Sequence, residues 1–314
     1  MTMAAPILRA NSLDKTLGST HILRGIDLEI ERDQIVVIVG PNGAGKTILL
    51  CCLAGGLDPD SGTITIDDRP MAEQTRRDLS FLPQESMAIE HLTGRENARF
   101  YSRLHPGASG RWRELVTMLD LNGDLESRVR TYSGGMTRKL ELAIALDPDV
   151  PLYLFDEPTA GVDLAKITQF HDLLLEAADD GKTVVLSSHT PLDMELADTI
   201  VVVRDGRVGA IGRPEALLEA LPDILRVRGR IGRLADDLRR HVIEGRWYVR
   251  GDEIRGFLRP ELDPERTELA LSAEAGVIDV TVEAPSFVDL FNYHTDEALI
   301  DTHDAGSEVP GECR

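Results

Sequence analysis

The chain has 314 residues, enough for two domains at about 100–200 residues each. Its composition, 42% hydrophobic and 28% charged, is that of a folded globular protein, and no apolar run approaches the roughly 20 residues that cross a bilayer. A net charge of −20 repels a phosphate backbone, which excludes broad nucleic-acid binding as the main activity.

Two further compositional features are informative. Met1–Ala10 has no basic start followed by a long apolar stretch, so no signal peptide is expected. Only five of the 34 basic residues are lysine, and aromatics are scarce. That balance fits a chain adapted to high internal salt; a GC-rich genome with an acidic surface accounts for it as well. Cys51, Cys52 and Cys313 form no Cys-x-x-Cys pair, which points to a reducing compartment.

In chain order, Ile7–Leu13 and His21–Ile30 alternate apolar and polar residues and read as antiparallel strands joined by a turn near Gly18-Ser19. Gln34–Val39 is a continuous apolar run, the pattern of a strand buried on both faces. It leads into Gly40-Pro41-Asn42-Gly43-Ala44-Gly45-Lys46-Thr47 and a helix to about Ala54, stopped by Gly55-Gly56. A turn at Asp58–Gly62 precedes a strand at Thr63–Ile66. Residues from about 87 to 147 read as mostly helical. Pro151–Phe155 and Thr183–Leu186 are further buried strands, and Thr199–Val203 and Val208–Ile211 flank an Asp205-Gly206 hairpin turn. Strands alternating with helices imply a parallel sheet covered by helices.

The pattern changes after a short helix, Glu215–Ala220, and Pro222. Strand 224–231, helix 232–241, strands 246–250 and 253–258, helix 264–275, strand 277–283 and helix 286–293 follow the β-α-β-β-α-β order of a ferredoxin-like module. The acidic segment 296–314 reads as a disordered tail.

Three segments carry chemistry. In Gly40–Thr47 a strand, a glycine-rich turn and a helix start gather backbone N–H groups at one point, where the helix terminus adds positive potential. Gly43 and Gly45 let the backbone approach phosphate oxygens, Lys46 reaches the β- and γ-phosphates, and the Thr47 hydroxyl is a Mg²⁺ ligand. Leu152–Glu157 ends a strand in two carboxylates beside that loop: Asp156 suits the metal and Glu157 suits a general base toward water. Thr131-Tyr132-Ser133-Gly134-Gly135-Met136 opens an amphipathic helix and forms a second phosphate-sized anion site. Ser133 also fits there as an ordinary N-cap. One ATP does not need both sites from one chain, so the second suits the nucleotide of another subunit.

With these segments in this order, residues 5–222 resemble an ABC ATPase, the nucleotide-binding subunit of ABC transporters. The resemblance implies a P-loop NTPase domain of α/β class over residues 1–222, with a parallel sheet core, an antiparallel β subdomain and a helical subdomain at about 87–147. A small α+β domain at 223–295 follows. Gly40–Thr47 matches the P-loop, Tyr132–Met136 the signature motif and Leu152–Glu157 Walker B. Gln84, in Phe81-Leu82-Pro83-Gln84, matches the Q-loop glutamine that touches Mg²⁺ and water. Ala160-Gly161-Val162-Asp163 matches the D-loop of the dimer seam, and His189, in Ser187-Ser188-His189, the switch histidine at the γ-phosphate.

The same resemblance implies ATP and Mg²⁺ as ligands, a second ATPase subunit in a homodimer or heterodimer, and a separate integral membrane permease. It implies a place on the cytoplasmic face of the membrane. In register with the family, Ser133, Gly134 and Gly135 serve the partner's nucleotide, and Thr47, Gln84 and Asp156 organise the metal. Two departures stand out. Leu17 occupies the place where the family usually stacks an aromatic ring on adenine, a loss of roughly 0.5–1.5 kcal/mol of stacking, with His21 a nearby substitute. The signature ends in Met136 rather than glutamine. Its tyrosine start and methionine end, with Ala284–Phe291 more weakly, resemble the export branch. A soluble ABC ATPase without a transporter is the alternative reading. It fits less well because this chain has a single P-loop and no inserted coiled coil.

Overall fold

The computed structural model describes residues 5–162, 164–229, 238–274 and 276–295. The chain divides into two compact units that meet between Leu217 and Leu218.

In the first unit, β1 (Leu8–Leu17) and β2 (Thr20–Ile30) form a hairpin closed at Gly18-Ser19, with Gly18 left-handed at φ 60°. β3 (Ile35–Val39) follows, buried at every residue, and then α1 (Lys46–Leu53). β4 (Ser61–Ile66) and the short β5 (Arg69–Pro70) join the hairpin in a four-stranded antiparallel sheet of order β2-β1-β4-β5.

The larger sheet collects strands far apart in sequence: β6 (Leu79–Leu82), β7 (Leu152–Asp156), β8 (Thr183–Ser188), β9 (Thr199–Arg204) and β10 (Arg207–Gly212). Their order with β3 is β10-β9-β3-β8-β7-β6. All neighbours are parallel except β9 and β10, which pair as a hairpin through Asp205-Gly206. Val36, Ile38, Leu154, Val185 and Val201 share one core with Leu49 and Leu53 of α1 and with Leu8, Leu13 and Leu28 of the antiparallel sheet. α5 (Leu164–Asp179) packs against β3 and β8, and its buried Phe170 lies 6.3 Å from the Phe155 ring.

Between β6 and β7 lie α2 (Gly94–Leu104), α3 (Trp112–Met118) and α4 (Gly134–Ala145). α2 starts with a reciprocal cap: the Glu96 N–H donates to Thr93 Oγ1 and the Thr93 N–H to the Glu96 carboxylate. α3 is anchored by buried Trp112, whose backbone N–H donates to Asp147 Oδ1 at 2.9 Å. α6 (Pro191–Met194) is one turn after β8, and α7 (Pro214–Glu219) carries the division between the units. Cys51 and Cys52 are free, and burial pushes the Cys52 thiol up to about 11.

The second unit is a four-stranded antiparallel sheet: β11 (Ile224–Gly229), β12 (Val242–Arg250), β13 (Glu253–Leu258) and β14 (Val277–Glu283), in the order β12-β13-β11-β14. This is the strand order of a β-α-β-β-α-β unit. α8 (Pro264–Ser272) sits on the face where Leu225, Val227, Ile254, Leu258, Leu271 and Val280 form the core. On the other face, Arg255 donates to Asp289 of α9 (Phe287–Thr295), and Phe257 meets Tyr293 edge to face. The expected helix at 232–241 lies largely outside the described residues, as do the 296–314 segment and Cys313.

Candidate functional site

The site assembles at the carboxyl ends of β3, β7 and β8, where an open parallel sheet presents its loops. The loop after β3 is shaped by glycine. At Gly40 a Cβ would stand 2.0 Å from the Val203 carbonyl oxygen of β9, so no side chain fits there. Gly43 and Gly45 are left-handed at φ 79° and 103°. Ala44 is buried and its N–H donates to Pro41 O at 3.1 Å, closing the turn. Lys46 is buried as well, and its Nζ donates to the carbonyls of Gly40 (2.7 Å) and Pro41 (3.1 Å). The depression in front of this loop is lined by Ile22, Asn42, Gly43, Gly45, Lys46, Thr47, Ile48, Gln84 and Glu157. Leu17 does not line it: it sits at the tip of the β1–β2 hairpin, 41% exposed. His21 is paired with Asp14 at 2.8 Å.

Asp156 closes β7 and is fully buried. The Ser187 hydroxyl donates to its Oδ1 at 2.6 Å, while Oδ2 has no hydrogen-bond partner. A buried carboxylate oxygen without a donor is costly, and a hard cation is a partner that would satisfy it. Thr47 and Gln84 line the depression before the loop, and with Asp156 they offer oxygen donors of the kind that suits Mg²⁺. Among the described residues no group of three or more His, Cys, Asp or Glu is arranged to hold a metal ion. Mg²⁺ fits that pattern, because it takes one or two carboxylates and fills its remaining positions with phosphate and water.

Glu157 follows at φ 45°, a left-handed conformation for a side-chain-bearing residue that costs about 1–3 kcal/mol. The turn is held from two sides. Its N–H donates to Ser187 Oγ at 2.9 Å, and Gln84 Nε2 donates to Glu157 Oε2 at 3.0 Å. His189 Nδ1 lies 3.7 Å from Glu157 Oε1. The His189 ring, opposed by burial and aided by Lys46 and Arg138, holds the Glu157 carboxyl below its ordinary value; Glu157 in turn raises the His189 pKa. The carboxylate therefore stays ionised, as acceptance of a proton from water requires.

Ser133 caps α4 by accepting from the Met136 N–H at 3.2 Å, and Ser133 and Gly134 are exposed. None of Ser133, Gly134 and Gly135 lines the depression in front of Lys46. Gly134, Gln84 and Glu157 are among the residues that line a neighbouring cleft. After Glu157 the chain turns through Ala160, whose N–H donates to Glu157 O at 3.2 Å, and through Gly161 at φ 72°. Asp163 lies outside the described residues.

Two groups of residues around the site carry no recognisable motif. Asp193 is buried beneath the His189 loop and accepts from Thr159 Oγ1 (2.8 Å), the Ser188 hydroxyl and the His171 ring (2.7 Å). Burial alone would raise its pKa; the hydrogen bonds from His171, Ser188 and Thr159 outweigh burial and lower it. The second group is Arg138 and Glu141, buried on α4. The local sequence does not mark either group: Arg138 stands beside Lys139, and Asp193 is followed by Glu195, so burial of these charges is not legible from their neighbours.

Comparison with known proteins gives a consistent picture. The family model described as "ABC transporter" matches residues 23–160. A daunorubicin resistance ATP-binding protein of Streptomyces coeruleorubidus is 33% identical over 243 residues, covering 73% of this chain and 77% of the relative. An uncharacterized ABC transporter ATP-binding protein of Bacillus subtilis is 32% identical over 214 residues, covering 66% of this chain and 70% of the relative. Among solved structures, a dimeric ATP-binding cassette in a post-hydrolysis state, bound to ADP and Pi, superposes with a TM-score of 0.60 at 26% identity, covering 66% of this chain and 98% of that one.

Proposed function

Because this chain belongs to the family of ABC transporter ATP-binding proteins, as the ATP-binding subunit of such a system, we propose that it is the ATP-hydrolysing motor of an exporter. The observation that carries this reading is a separation. One chain offers two phosphate-sized anion sites, the Lys46 loop and the exposed Ser133 turn, and the Ser133 turn does not line the Lys46 depression. Two ATPase subunits, alike or different, meeting head to tail would bring Ser133, Gly134 and Gly135 of one against the nucleotide held by Gly40–Thr47 of the other. The dimeric form of the solved cassette supports the arrangement.

In such a sandwich Lys46 exchanges its bonds to the Gly40 and Pro41 carbonyls for β- and γ-phosphate oxygens, while the amides of Gly43–Thr47 cradle the phosphates. The ionised Glu157 accepts the proton of the attacking water. Gln84 fixes its second oxygen, and His189 reaches the γ-phosphate. Asp156, Thr47 and Gln84 would hold Mg²⁺, which when bound neutralises phosphate charge. Hydrolysis leaves two repelling anions where one shared chain of phosphates bridged the subunits, and the dimer opens. Leu17, on the hairpin tip, leaves adenine without a stacking ring.

No helix among the described residues is long and apolar enough to cross a membrane. The reading assigns translocation to a separate permease, as in the drug-resistance type of system, that docks near Gln84 and α2, with this subunit peripheral on the cytoplasmic face. Export rather than import rests on Met136 and on the drug-resistance relative. The test is Glu157→Gln. It should accumulate an ATP-dependent dimer in light scattering and show almost no turnover. Normal hydrolysis would remove Glu157 as the base, and a monomer at saturating ATP would remove the sandwich.

A further inference from the structure

α4 starts at the exposed Ser133 cap, yet five residues on, about 7.5 Å along the axis, it buries a guanidinium, and one turn later a carboxylate. Arg138 is 7% exposed and Glu141 2%. A buried ion pair is a poor choice for stability alone, since a well-packed apolar pair usually does as well. What distinguishes this one is where its hydrogen bonds go. Arg138 Nη2 donates to the carbonyls of Asp156 (2.8 Å) and Glu157 (3.0 Å), and Nε to Pro158 O (3.1 Å). Nη1 donates to Pro83 O (2.9 Å), immediately before Gln84, and to Glu141 Oε2 (3.3 Å).

Glu141 Oε1 accepts from the Ser86 hydroxyl and from the N–H groups of Met87 (2.9 Å) and Ala88 (3.2 Å), just past Gln84. The pair thus grips the backbone on both sides of Gln84 and along the strained turn at Glu157. Those two side chains also meet each other at 3.0 Å. The planar fork of an arginine is needed to reach four carbonyls at once; an ammonium lacks that geometry.

We infer that Arg138 and Glu141 are positioning residues that tie the Ser133 turn to the Gln84–Glu157 end of the same subunit. Contact between Ser133 and the partner's nucleotide then alters how well this subunit's own water-activating pair is set. Because the two sites of a dimer would each contain one Lys46 loop and one Ser133 turn, the pair links them into one cooperative unit. The inference rests on the sandwich reading above.

The experiment uses the full chain and the variants Arg138→Met, Arg138→Lys and Glu141→Gln, with steady-state hydrolysis measured against ATP concentration and a fluorescent ATP analogue titrated separately. In the unaltered protein the Hill coefficient should approach 2, the number of sites. In each variant it should fall to about 1. The same variants should lose about 10- to 100-fold in kcat. The analogue's Kd should move less than about threefold, since neither residue lines the Lys46 depression. Arg138→Lys should not rescue. A merely structural role would lower melting temperature and analogue affinity together while leaving the Hill coefficient unchanged, and that result overturns the inference. Glu141→Gln keeps side-chain shape and decides the matter if Arg138→Met does not fold. If Glu157→Gln forms no ATP-dependent dimer, the sandwich falls and takes this inference with it. If the dimer forms while Glu141→Gln keeps unaltered cooperativity and kcat, the inference alone falls.

Discussion

The Gly40–Thr47 loop and the Ser133–Met136 turn are both glycine-rich and both open a helix, but their glycines answer to different constraints. In the first, Gly40 has Val203 O where its Cβ would be, and Gly43 and Gly45 are left-handed. That loop is dictated by its own chain. In the second, Gly134 and Gly135 have ordinary negative φ, and a Cβ at either meets nothing within 4 Å. Nothing in this subunit requires glycine there, and alanine would be the better helix former. Open space before α4 is what the proposed sandwich requires, since a second subunit's nucleotide would have to approach there.

Four substitutions bear on that contrast. Gly40→Ala should produce the largest effect, about 3 kcal/mol of lost stability, because backbone must move to admit the methyl; a denaturant midpoint equal to that of the unaltered chain would contradict the geometry at Val203. Lys46→Ala should cost about 2 kcal/mol in ATP affinity, the worth of charged hydrogen bonds to phosphate, and isothermal titration measures it. Gly135→Ala should leave the monomer unchanged or more stable by up to about 1 kcal/mol, yet abolish ATP-dependent dimers. A dimer of normal affinity would mean that the empty space faces solvent and nothing else.

The smallest effect concerns the His189–Glu157 pair. Its histidine pKa is raised, so that stabilisation is full below the ordinary 6.5 and fades as pH rises through the raised value. The Glu157 contribution is full above 4.5 and is lost as pH falls through the lowered value. With His189 47% exposed, solvent screening keeps the sum under about 1 kcal/mol. The stability gap between the unaltered chain and His189→Ala should thus be widest between pH 4.5 and 6.5 and narrow toward pH 9, as thermal melts across that range would record.

Legibility differed between regions for physical reasons. β3, β7 and β8 read directly as strands because burial on both faces forces unbroken apolar runs. β12 begins at Val242, earlier than the alternation from 246 indicates, because Gly245 at φ 73° lies within a register shift that interrupts the period of two. β6, four residues long, offers too short a pattern to separate from a helix turn. Ser133 was visible as a cap and anion site, whereas Arg138 and Glu141 on the same helix were not, since their partners lie 55 residues earlier at Pro83 and Ser86.

The residues by themselves determined the local chemistry: a contiguous loop with glycines and a lysine must gather amides around a phosphate, and an apolar strand ending in two carboxylates must leave them at a sheet edge. Those facts depend only on neighbours along the chain. The tertiary structure decided which oxygen of Asp156 goes without a donor, which carboxylate is held ionised by which ring, and how one buried arginine reaches backbone on two distant segments. Each depends on contacts between parts of the chain whose separation in sequence carries no periodic signal.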